Sequence, residues 1–378
     1  MSDTRHFQVV IAGGGLVGAS AALALARKGV SVGLFERRFC GAQASGVNYG
    51  GVRTHGRSAE QLPLAVRARR VWSRLPELIG SDGEFVVSGH LRLARRDSDL
   101  DALHAWSAMA RDFGVESVVM SGEAFRRRYP WLGKTAIGGA LCASDGHANP
   151  RLVSPGFAAA ARRAGAHVQE QTALADLSFD GRRFQMRAGH ERISADWLIN
   201  SSGAWANTVA GAFGETVPMK PIYPNMWVTE PLPRFIQHNL GVYGGGVYAR
   251  QVERGNCVIG GGRGHGDGEY AQPSTATTRA VMRDACALLP GLRDALLIRT
   301  WSGVEGETPD SNPIIGFSNT TPRLVHAFGF SGGGFLLAPG VGEVLAELVT
   351  EGTTSTPIEA FAIGRFTQSS VHAALPIK

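Results

Sequence analysis

Residues 7 to 36 constrain the possible fold more than any other part of the chain. They begin with a short apolar run, FQVVIA, which is typical of a buried parallel strand. The turn GGGLVG follows at once and satisfies the pattern G-x-G-x-x-G at Gly13, Gly15 and Gly18. Small and apolar residues from 19 to 28 predict a helix, and VSVGLF predicts a second strand, after which Glu36 follows. This order of strand, glycine turn, helix, strand and acid predicts a dinucleotide-binding unit.

Each residue type in this unit has a physical reason. Gly13 permits a tight turn, Gly15 lets backbone N–H groups approach a diphosphate, and Gly18 allows the helix to pack closely on the strand. The helix N-terminus adds partial positive charge for the same diphosphate. Glu36 lies 18 residues after Gly18, where it can accept hydrogen bonds from a ribose diol. A glycine pattern alone would also suit a purely structural turn, so the surrounding strands, helix and acid are what favour nucleotide binding.

Length and charge limit the class of protein. At 378 residues the chain exceeds what one hydrophobic core usually supports, which predicts two joined domains. The formal net charge is +6, but the basic residues are dispersed, and the runs at 67–70 and 126–128 fall where helices are expected. We interpret these runs as solvated helix faces and expect no nucleic-acid partner. Glycine accounts for 50 residues, nearly twice the roughly 7% of average proteins, which suggests close backbone approaches to a large ligand.

Cysteine spacing and hydropathy bear on the compartment. The four cysteines show no C-x-x-C pair, so we expect neither a metal site nor a disulfide framework, and a reducing compartment fits best. The first strand begins after about six residues, which leaves no room for a signal peptide. No apolar run approaches the roughly 20 residues that span a bilayer. We therefore expect a cytoplasmic protein without a transmembrane segment; peripheral association with a membrane stays open.

The rest of the chain alternates between helical and extended patterns. Residues 37–58 are polar and Gly-rich, and 218–301 show alternating strands such as 226–229, 242–250 and 257–260. An apolar strand at 324–327 runs into a second glycine turn and a helix through 348. The other predicted elements are helices over 59–79, 99–113, 152–164 and 275–289, strands at 166–169 and 197–200, and a hairpin that pairs 85–87 with 90–94.

Two dinucleotides compete for the N-terminal unit: NAD as a diffusing cosubstrate and FAD as a resident group. An NAD dehydrogenase normally continues with regular βαβ units, whereas residues 37–58 are polar and Gly-rich. The second glycine turn, at 329–334, would bring another positive helix end to the same ligand. These two features favour FAD.

Five segments resemble the D-amino-acid oxidase superfamily of flavoproteins, particularly its sarcosine oxidase, glycine oxidase and D-hydroxyproline dehydrogenase-like members. The matching segments follow the family's order over essentially the full length. They are 13–36, the loop ASGVNYGGVR at 44–53, the strand and turn ADWLIN…GAW at 195–205, the stretch WSG…TPD…PIIG at 301–316, and the turn GFSGGGF at 329–335. Each segment is weak alone, and together they are specific.

The resemblance implies an α/β fold: a Rossmann-like FAD-binding domain with an inserted α+β substrate domain on a mixed, largely antiparallel sheet. We assign residues 1–81, 145–215 and 303–378 to the FAD-binding domain, and 82–144 and 216–302 to the substrate domain. It also implies the residues that contact FAD: Gly13, Gly15, Leu16, Val17, Gly18, Glu36, Arg37, Ser45, Asn48, Tyr49, Gly50, Gly51, Val168, Gly203, Trp205, Gly329, Ser331, Gly332, Gly333, Gly334 and Phe335. Backbone N–H groups of the last turn would stabilise the negative charge of the reduced flavin.

The sequence departs from the resemblance in two ways. Where some sarcosine oxidases hold FAD through a cysteine, this chain has Gly303, so we expect non-covalent FAD and no metal. Where glycine oxidase and D-amino-acid oxidase carry a carboxylate-binding arginine, it has Glu305. Glu305 either attracts a cationic amine or faces away while another arginine binds the carboxylate. Arg53 is the first candidate for that arginine and Arg250 the next, and Tyr248 resembles a substrate-contacting tyrosine.

These observations predict an FAD-dependent enzyme that oxidises a C–N bond of an amino acid or small secondary amine to an imine, by hydride transfer to flavin N5, followed by hydrolysis. Arg53, Tyr248, Arg250 and Glu305 are its candidate substrate residues. The electron acceptor would be dioxygen, a quinone or a partner subunit. Two alternatives stay open: a flavin monooxygenase that uses NAD(P)H, and an FAD-binding subunit of a heteromeric dehydrogenase.

Overall fold

Two eight-stranded sheets make up the fold of residues 4–366, the part of the chain that this computed structural model describes. Residues 1–3 and 367–378, which the sequence assigns to the ends of the nucleotide-binding domain, lie outside the described residues. Within 4–366, no helix is both long enough and apolar enough to cross a membrane.

Strands and helices alternate along the chain from Arg5 to Phe361. The strands are β1 Arg5–Ala12, β2 Val32–Phe35, β3 Gly51–Val52, β4 His90–Ala94, β5 Val118–Ser121, β6 Gly138–Cys142, β7 Gly146–His147, β8 His167–Gln169, β9 Leu174–Phe179, β10 Phe184–Ala188, β11 Glu191–Asn200, β12 Lys220–Ile222, β13 Pro224–Pro231, β14 Asn239–Val242, β15 Tyr248–Gln251, β16 Asn256–Arg263, β17 His265–Gly266, β18 Ala271–Gln272, β19 Leu297–Ser302, β20 Glu305–Glu307, β21 Ile314–Phe317 and β22 Leu324–Phe328. The helices are α1 Leu16–Arg27, α2 Ala44–Val47, α3 Leu62–Trp72, α4 Leu75–Ile79, α5 Asp97–Arg111, α6 Gly122–Arg128, α7 Pro150–Arg163, α8 Ala206–Gly211, α9 Thr275–Leu288 and α10 Gly334–Glu351, with 3₁₀ turns at Gly203–Trp205, Pro290–Leu292 and Glu359–Phe361.

The first sheet is of the doubly wound type. Its strand order is β21-β22-β11-β1-β2-β8, with β9 and β10 attached to β11. The neighbours β22, β11, β1, β2 and β8 pair in parallel, so their carboxyl ends meet at one edge. Helices α1, α3, α7 and α10 bury an apolar core against this sheet. The predicted Rossmann-like α/β fold is therefore confirmed.

The second sheet has the order β19-β13-β16-β15-β14-β4-β6-β5 and draws its strands from residues 90–142 and 224–302. All neighbours are antiparallel except β14 and β4, which pair in parallel. Helix α9 packs on one face through buried residues that include Ala285 and Leu288. The expected inserted, largely antiparallel sheet is thus confirmed, while the domain boundaries stay a prediction.

The predicted hairpin between 85–87 and 90–94 is wrong. Gly89 does turn the chain with a φ of 73°, but Val86 forms only an isolated bridge with His147. Strand β4 instead pairs with β6 on one side and β14 on the other. These distant strands offer full hydrogen-bonded ladders, which a three-residue neighbour cannot match.

Two other predicted elements are divided in the structure. The helix expected over 59–79 consists of α3 and α4, because Pro76 near the start of α4 has no N–H to continue the helical hydrogen bonds from α3. The strand expected over 242–250 consists of β14 and β15, joined by a turn at Gly244–Gly246, where each glycine has a positive φ.

Helix α10 approaches its neighbours so closely that two of its positions require glycine. A Cβ built on Gly342 would lie 2.5 Å from Ser20 Oγ and 2.6 Å from the Ser20 carbonyl carbon on α1. A Cβ on Gly340 would lie 2.9 Å from the Cα of Ala68 on α3. The Ser20 hydroxyl donates to the Ala338 carbonyl at 2.9 Å, so the contact is also hydrogen-bonded. The position of the C-terminal helix, and of the turn before it, depends on this contact.

We expect Gly342→Val to lower the free energy of unfolding by about 1–3 kcal/mol, because its side chain would push α10 away from backbone atoms of α1. Urea unfolding followed by circular dichroism measures the change. Gly211→Ala is the matched control, since a Cβ there meets nothing within 4 Å, and it should leave stability unchanged or slightly raised. Equal destabilisation by both variants would contradict the close-contact explanation.

Candidate active site

The N-terminal glycine turn has the geometry that its sequence predicts. Gly13 has a φ of +104°, and a Cβ on Gly18 would lie 2.0 Å from the Gly13 carbonyl oxygen. These two glycines are therefore needed for the turn and for packing of the helix on it. Gly15 differs from them, because a Cβ there would approach only the Ser45 hydroxyl, at 3.1 Å.

Free hydrogen-bond donors surround this turn. The Leu16 amide donates to Ser45 Oγ at 2.9 Å, while the amides of Gly15 and Val17 have no acceptor among residues 4–366. They lie at the N-terminus of α1, where the helix dipole adds partial positive charge. This arrangement fits an anionic diphosphate.

Glu36 follows the end of β2 and closes the same turn. Its Oε2 accepts from the Gly14 amide at 2.7 Å, and its Oε1 accepts from the Arg38 amide at 2.8 Å. Each carboxylate oxygen has a further lone pair for a ribose hydroxyl. Val168 lies on the neighbouring strand β8, where it pairs with Leu34 of β2. The ribose role of Glu36 and the contact at Val168 stay predictions.

The separate two-stranded hairpin β17–β18 contacts the segment after Glu36, which the sequence did not indicate. The Arg37 guanidinium lies 4.0 Å from the Trp205 ring and pairs with Glu269, at 2.9 Å. Glu269 belongs to the tip between β17 and β18, and its neighbour Tyr270 contacts Arg38. Gly203 begins the 3₁₀ turn that presents Trp205. Arg37, Gly203 and Trp205 are thus brought together beside the nucleotide turn.

The loop 44–53 holds itself in place mainly through Asn48. The Asn48 amide donates to the carbonyls of Ala44 and Ser45 at 3.0 and 2.7 Å, and its oxygen accepts from the Gly50 amide at 2.7 Å. A Cβ on Gly50 would lie 2.2 Å from the Ala148 carbonyl oxygen, and Gly51 pairs with His147. This loop begins beside the nucleotide turn and ends at Arg53.

The second glycine turn, at 329–334, precedes α10 at the same sheet edge. Gly329, Ser331 and Gly332 all have positive φ, of 72°, 49° and 83°. The Ser331 hydroxyl accepts from the Thr308 amide at 3.0 Å, which supports this left-handed turn. Gly333 and Gly334 lead into α10, but the Phe335 side chain packs on Trp72 in the core, at 5.1 Å between ring centroids. Any cofactor contact by Phe335 would therefore be through its backbone.

An aromatic pair joins the loop 44–53 to the second sheet. The rings of Tyr49 and Tyr248 meet edge to face with centroids 4.8 Å apart. The Tyr49 hydroxyl donates to Asn239 at 2.6 Å, and the Tyr248 hydroxyl lies 3.5 Å from the Met226 sulfur. Burial raises the pKa of Tyr248, and the nearby Glu305 carboxylate raises it further. Both tyrosines are therefore neutral at physiological pH.

The two candidate arginines differ in how they are bonded. Arg250 is 5% exposed; its Nε donates to the Tyr49 carbonyl at 2.9 Å, and its Nη1 lies 3.3 Å from His147 Nδ1. Arg53 is half-buried and uses one nitrogen, Nη1, which donates to the His55 carbonyl at 2.8 Å. Its other donors have no acceptor among the described residues. Arg53 is therefore better able than Arg250 to bind a carboxylate.

Glu305 lies beside the second glycine turn. Its Oε1 accepts from the Gly332 amide at 2.5 Å. Burial raises the pKa of this carboxyl, although the Gly332 hydrogen bond and the charges of Arg263 and Arg57 oppose that shift. Burial raises the pKa of Tyr248; the Glu305 carboxylate raises it further and the Arg53 charge lowers it.

Sequence reasoning missed two further arginines close to Arg53. Arg57 is buried; its Nη2 donates to the Gly333 carbonyl at 3.0 Å and its Nη1 donates to Gln61 at 3.2 Å. Arg92, on β4, lies over the Tyr243 ring at 4.9 Å. The pattern HLRLA could have revealed Arg92, since period-two alternation puts it opposite the buried Leu91 and Leu93. Among residues 4–366 there is no group of His, Cys, Asp and Glu that could hold a metal ion.

Taken together, the doubly wound sheet, its two glycine turns and the second, mixed sheet are typical of a dinucleotide-dependent oxidoreductase. The family described as FAD dependent oxidoreductase (DAO) matches residues 8–348. The chain belongs to this family and is an FAD-dependent amine or amino-acid oxidoreductase.

Its relatives agree with this assignment. Glycine oxidase of Bacillus licheniformis is 27% identical over 380 residues, covering 97% of this chain and 99% of that protein. The beta subunit of sarcosine oxidase from Rhizobium meliloti is 25% identical, covering 96% and 88%. The crystal structure of L-proline dehydrogenase from P. horikoshii is similar with a TM-score of 0.90 at 28% identity, covering 97% and 99%. Glycine oxidase from Geobacillus kaustophilus follows with a TM-score of 0.89 at 25% identity, covering 96% and 99%.

We expect Gly15→Val to fold but to lose FAD, because its side chain would enter the space beside the free amides of Gly15 and Val17. The ratio of absorbance at 450 nm to that at 280 nm in the purified protein measures retention. Gly211→Ala is the control and should retain FAD, since its position is open. Full flavin content in Gly15→Val would contradict the assignment of this turn to the diphosphate.

Proposed function

We propose that this enzyme oxidises the C–N bond of an amino acid or small secondary amine whose carboxylate is bound by Arg53. The substrate loses a hydride from carbon and a proton from nitrogen, and water hydrolyses the resulting imine to a carbonyl compound and an amine. Bound FAD supplies the hydride acceptor. The observation that supports this proposal most directly is Arg53 itself, which is half-buried and has donors that no described residue uses.

The residues of this chain would hold FAD without a covalent bond. The free amides of Gly15 and Val17 would bind the diphosphate, and Glu36 would accept from the ribose. Gly303 offers no nucleophile, and a Cβ there would lie 2.2 Å from a methyl group of Val47, so no larger side chain fits. The positive N-terminal end of α10, at Gly334, would stabilise negative charge on the reduced ring system.

Glu305 would then act on the amine side of the substrate. A carboxylate cannot bind a substrate carboxylate, but it can bind an ammonium group or accept its proton. Burial raises the pKa of Glu305, and the raised pKa makes it a better proton acceptor than an exposed carboxylate. Of the two explanations left open by the sequence, we propose this one, because Glu305 lies against the turn around Gly332 that we assign to the flavin.

The names of some relatives bear on the final electron acceptor. Some relatives are named as parts of larger enzymes, including the beta subunit of sarcosine oxidase and one of the subunits of opine oxidase from Rhizobium meliloti, and the chain matches 88% and 97% of their lengths. A partner subunit or a quinone is therefore a candidate acceptor beside dioxygen. We propose a small-molecule amine or amino acid as the substrate in each case.

Anaerobic mixing of the purified holoenzyme with amines and amino acids of both configurations tests the reaction. We expect loss of flavin absorbance at 450 nm with at least one α-amino or N-alkylamino acid, and none with the corresponding hydroxy acid. Admitting air then distinguishes an oxidase, in which the colour returns within turnover time, from a dehydrogenase. NADH oxidation in the absence of any amine would instead favour a monooxygenase.

We expect Arg53→Ala to raise KM for an acidic substrate at least ten-fold while changing KM for a neutral amine analogue by less than three-fold, because a charge-assisted hydrogen bond is lost only for the first. Steady-state kinetics with both substrates measures the difference. Arg254→Ala is the control, since Arg254 is an exposed residue of the turn between β15 and β16. Equal effects on the two substrates would exclude Arg53 as the carboxylate anchor.

A further inference from the structure

One face of the second sheet presents a row of side chains toward the site. Across the strands, Arg92 pairs with Gly241, Gly241 with Tyr248, Tyr248 with Gly260, and Gly260 with Met226. Cross-strand partners share a face, so Arg92 and Tyr248 lie on the same side of the sheet. Two strand spacings of about 4.8 Å each put their Cα atoms roughly 10 Å apart. Gly241, which has no side chain, is the only residue between Arg92 and Tyr248 in this row.

The space around this glycine is bounded by two buried histidines. His90 Nε2 would lie 3.0 Å from a Cβ on Gly241, so the His90 imidazole bounds the space where a side chain at position 241 would be. The Nδ1 atoms of His90 and His55 are 3.3 Å apart, and the Trp106 ring covers His55 with centroids 4.6 Å apart. Burial lowers the pKa of His55 to about 3, and the charge of Arg92 adds to this effect. The pair is therefore neutral at physiological pH.

Three arginines gather around these neutral rings without a carboxylate partner. Arg53, Arg57 and Arg92 form no ion pair within 4.0 Å among residues 4–366. Burial lowers the pKa of Arg92 to about 10, and the positive charge of Arg53 lowers it further. Asp145 is the buried acid nearby, but it accepts from Thr54 and His55 instead, at 2.8–2.9 Å. The cluster has an excess of positive charge.

Arg92 differs from Arg57 in what its guanidinium contacts. Arg57 donates to Gly333 and Gln61, so its charge is tied to the turn before α10. Arg92 is half-buried, donates no side-chain hydrogen bond within the described chain, and lies over the Tyr243 ring with its Nη1 next to Gly56. Its donors are therefore free, and its Nη1 lies next to Gly56, the residue after His55, whose carbonyl accepts from Arg53 Nη1 at 2.8 Å. Partly buried cations in this state favour binding of an anion.

We propose that Arg92 is a second anion-binding residue of the substrate site, and that the preferred substrate therefore carries a second acidic group in addition to the carboxylate bound by Arg53. The substrate class is a dicarboxylic amino acid or an amino acid that carries an N-carboxyalkyl group. This inference rests on the proposed function, because it assigns the two arginines to one substrate.

Equilibrium binding of non-reacting acids tests the subsite apart from the reaction. Succinate and butyrate have the same chain length and differ by one carboxylate, and their binding to the holoenzyme is measured by the change in flavin absorbance and by calorimetry. We expect succinate to bind at least ten-fold more tightly than butyrate. Arg92→Gln should abolish this preference and change butyrate affinity by less than two-fold, whereas Arg53→Gln should weaken both acids.

Two further variants complete the test. Arg254→Gln removes the same charge from an exposed turn and should keep the preference for succinate, which separates a local contact from the overall net charge. Arg92→Lys keeps the charge but loses the forked donors, and should give an intermediate preference. It replaces Arg92→Gln should that variant fail to fold. Equal affinity for the two acids in the unmodified enzyme, or equal weakening of both by the Arg92 variant, would overturn the proposal.

The reaction gives an independent measurement. Iminodiacetate and sarcosine share the N-carboxymethyl group, and only iminodiacetate has a second carboxylate. We expect Arg92→Gln to raise KM for iminodiacetate at least ten-fold with kcat nearly unchanged, and to leave sarcosine kinetics within two-fold. A preference for succinate without oxidation of any amine would retain the subsite and reject the proposed reaction. Amine oxidation without a preference for succinate would retain the proposed reaction and reject the Arg92 subsite.

Discussion

Parallel pairing of β2, β1, β11 and β22 is the constraint on which the site depends. Ala12 pairs with Phe35 and Asn200, and Asn200 pairs with His326, so the last residues of three strands stand in one line and β22 ends two residues beyond it. Hydrogen bonds beneath that line hold it in register: Asn200 Nδ2 lies 3.3 Å from His326 Nδ1, and His326 Nε2 lies 3.0 Å from Glu215. Segments that are 300 residues apart in sequence therefore emerge at one edge.

The segments that follow these strands differ in the groups they present at the edge of the sheet. The first glycine turn offers free amides, the segment after β11 presents Trp205, and the turn after β22 is left-handed over several residues. Helices α1 and α10 begin at the two glycine turns and touch at Ser20 and Gly342. Both helices therefore begin at the same edge of the sheet, and their positive N-terminal ends suit a ligand with negative charge at more than one place.

Two glycines on the mixed sheet leave space beside the side chains that line the proposed site. Gly241 and Gly260 have no side chains, and the Tyr248 ring lies directly over Gly260. Contacts with the loop 44–53 hold this face in position, through Tyr49 on Tyr248 and through the Trp301 indole, which donates to the Val47 carbonyl at 2.7 Å. The arginines near this junction are kept without carboxylate partners in the described chain, an arrangement whose unfavourable charge excess an anionic ligand relieves.

Local patterns determined a large part of this protein. The spacing of Gly13, Gly15, Gly18 and Glu36 determined the nucleotide-binding unit, because steric limits on a turn that contacts both a helix and a strand admit few residue types. The order of the remaining segments indicated the family and its cofactor. Period-two alternation in β4 also held the information that Arg92 faces away from the core, although it did not say what Arg92 faces.

Only the tertiary structure decided which side chains meet. It gave β4 the distant partners β6 and β14 in place of a local hairpin, and it bonded Arg250 to Tyr49 and His147 while leaving donors of Arg53 and Arg92 free. It also paired Glu269 with Arg37 and placed the Glu305 carboxylate where it accepts from the Gly332 amide. The physical reason is that a strand's partners and a side chain's hydrogen bonds depend on contacts between residues far apart in sequence, which no local pattern of polarity records.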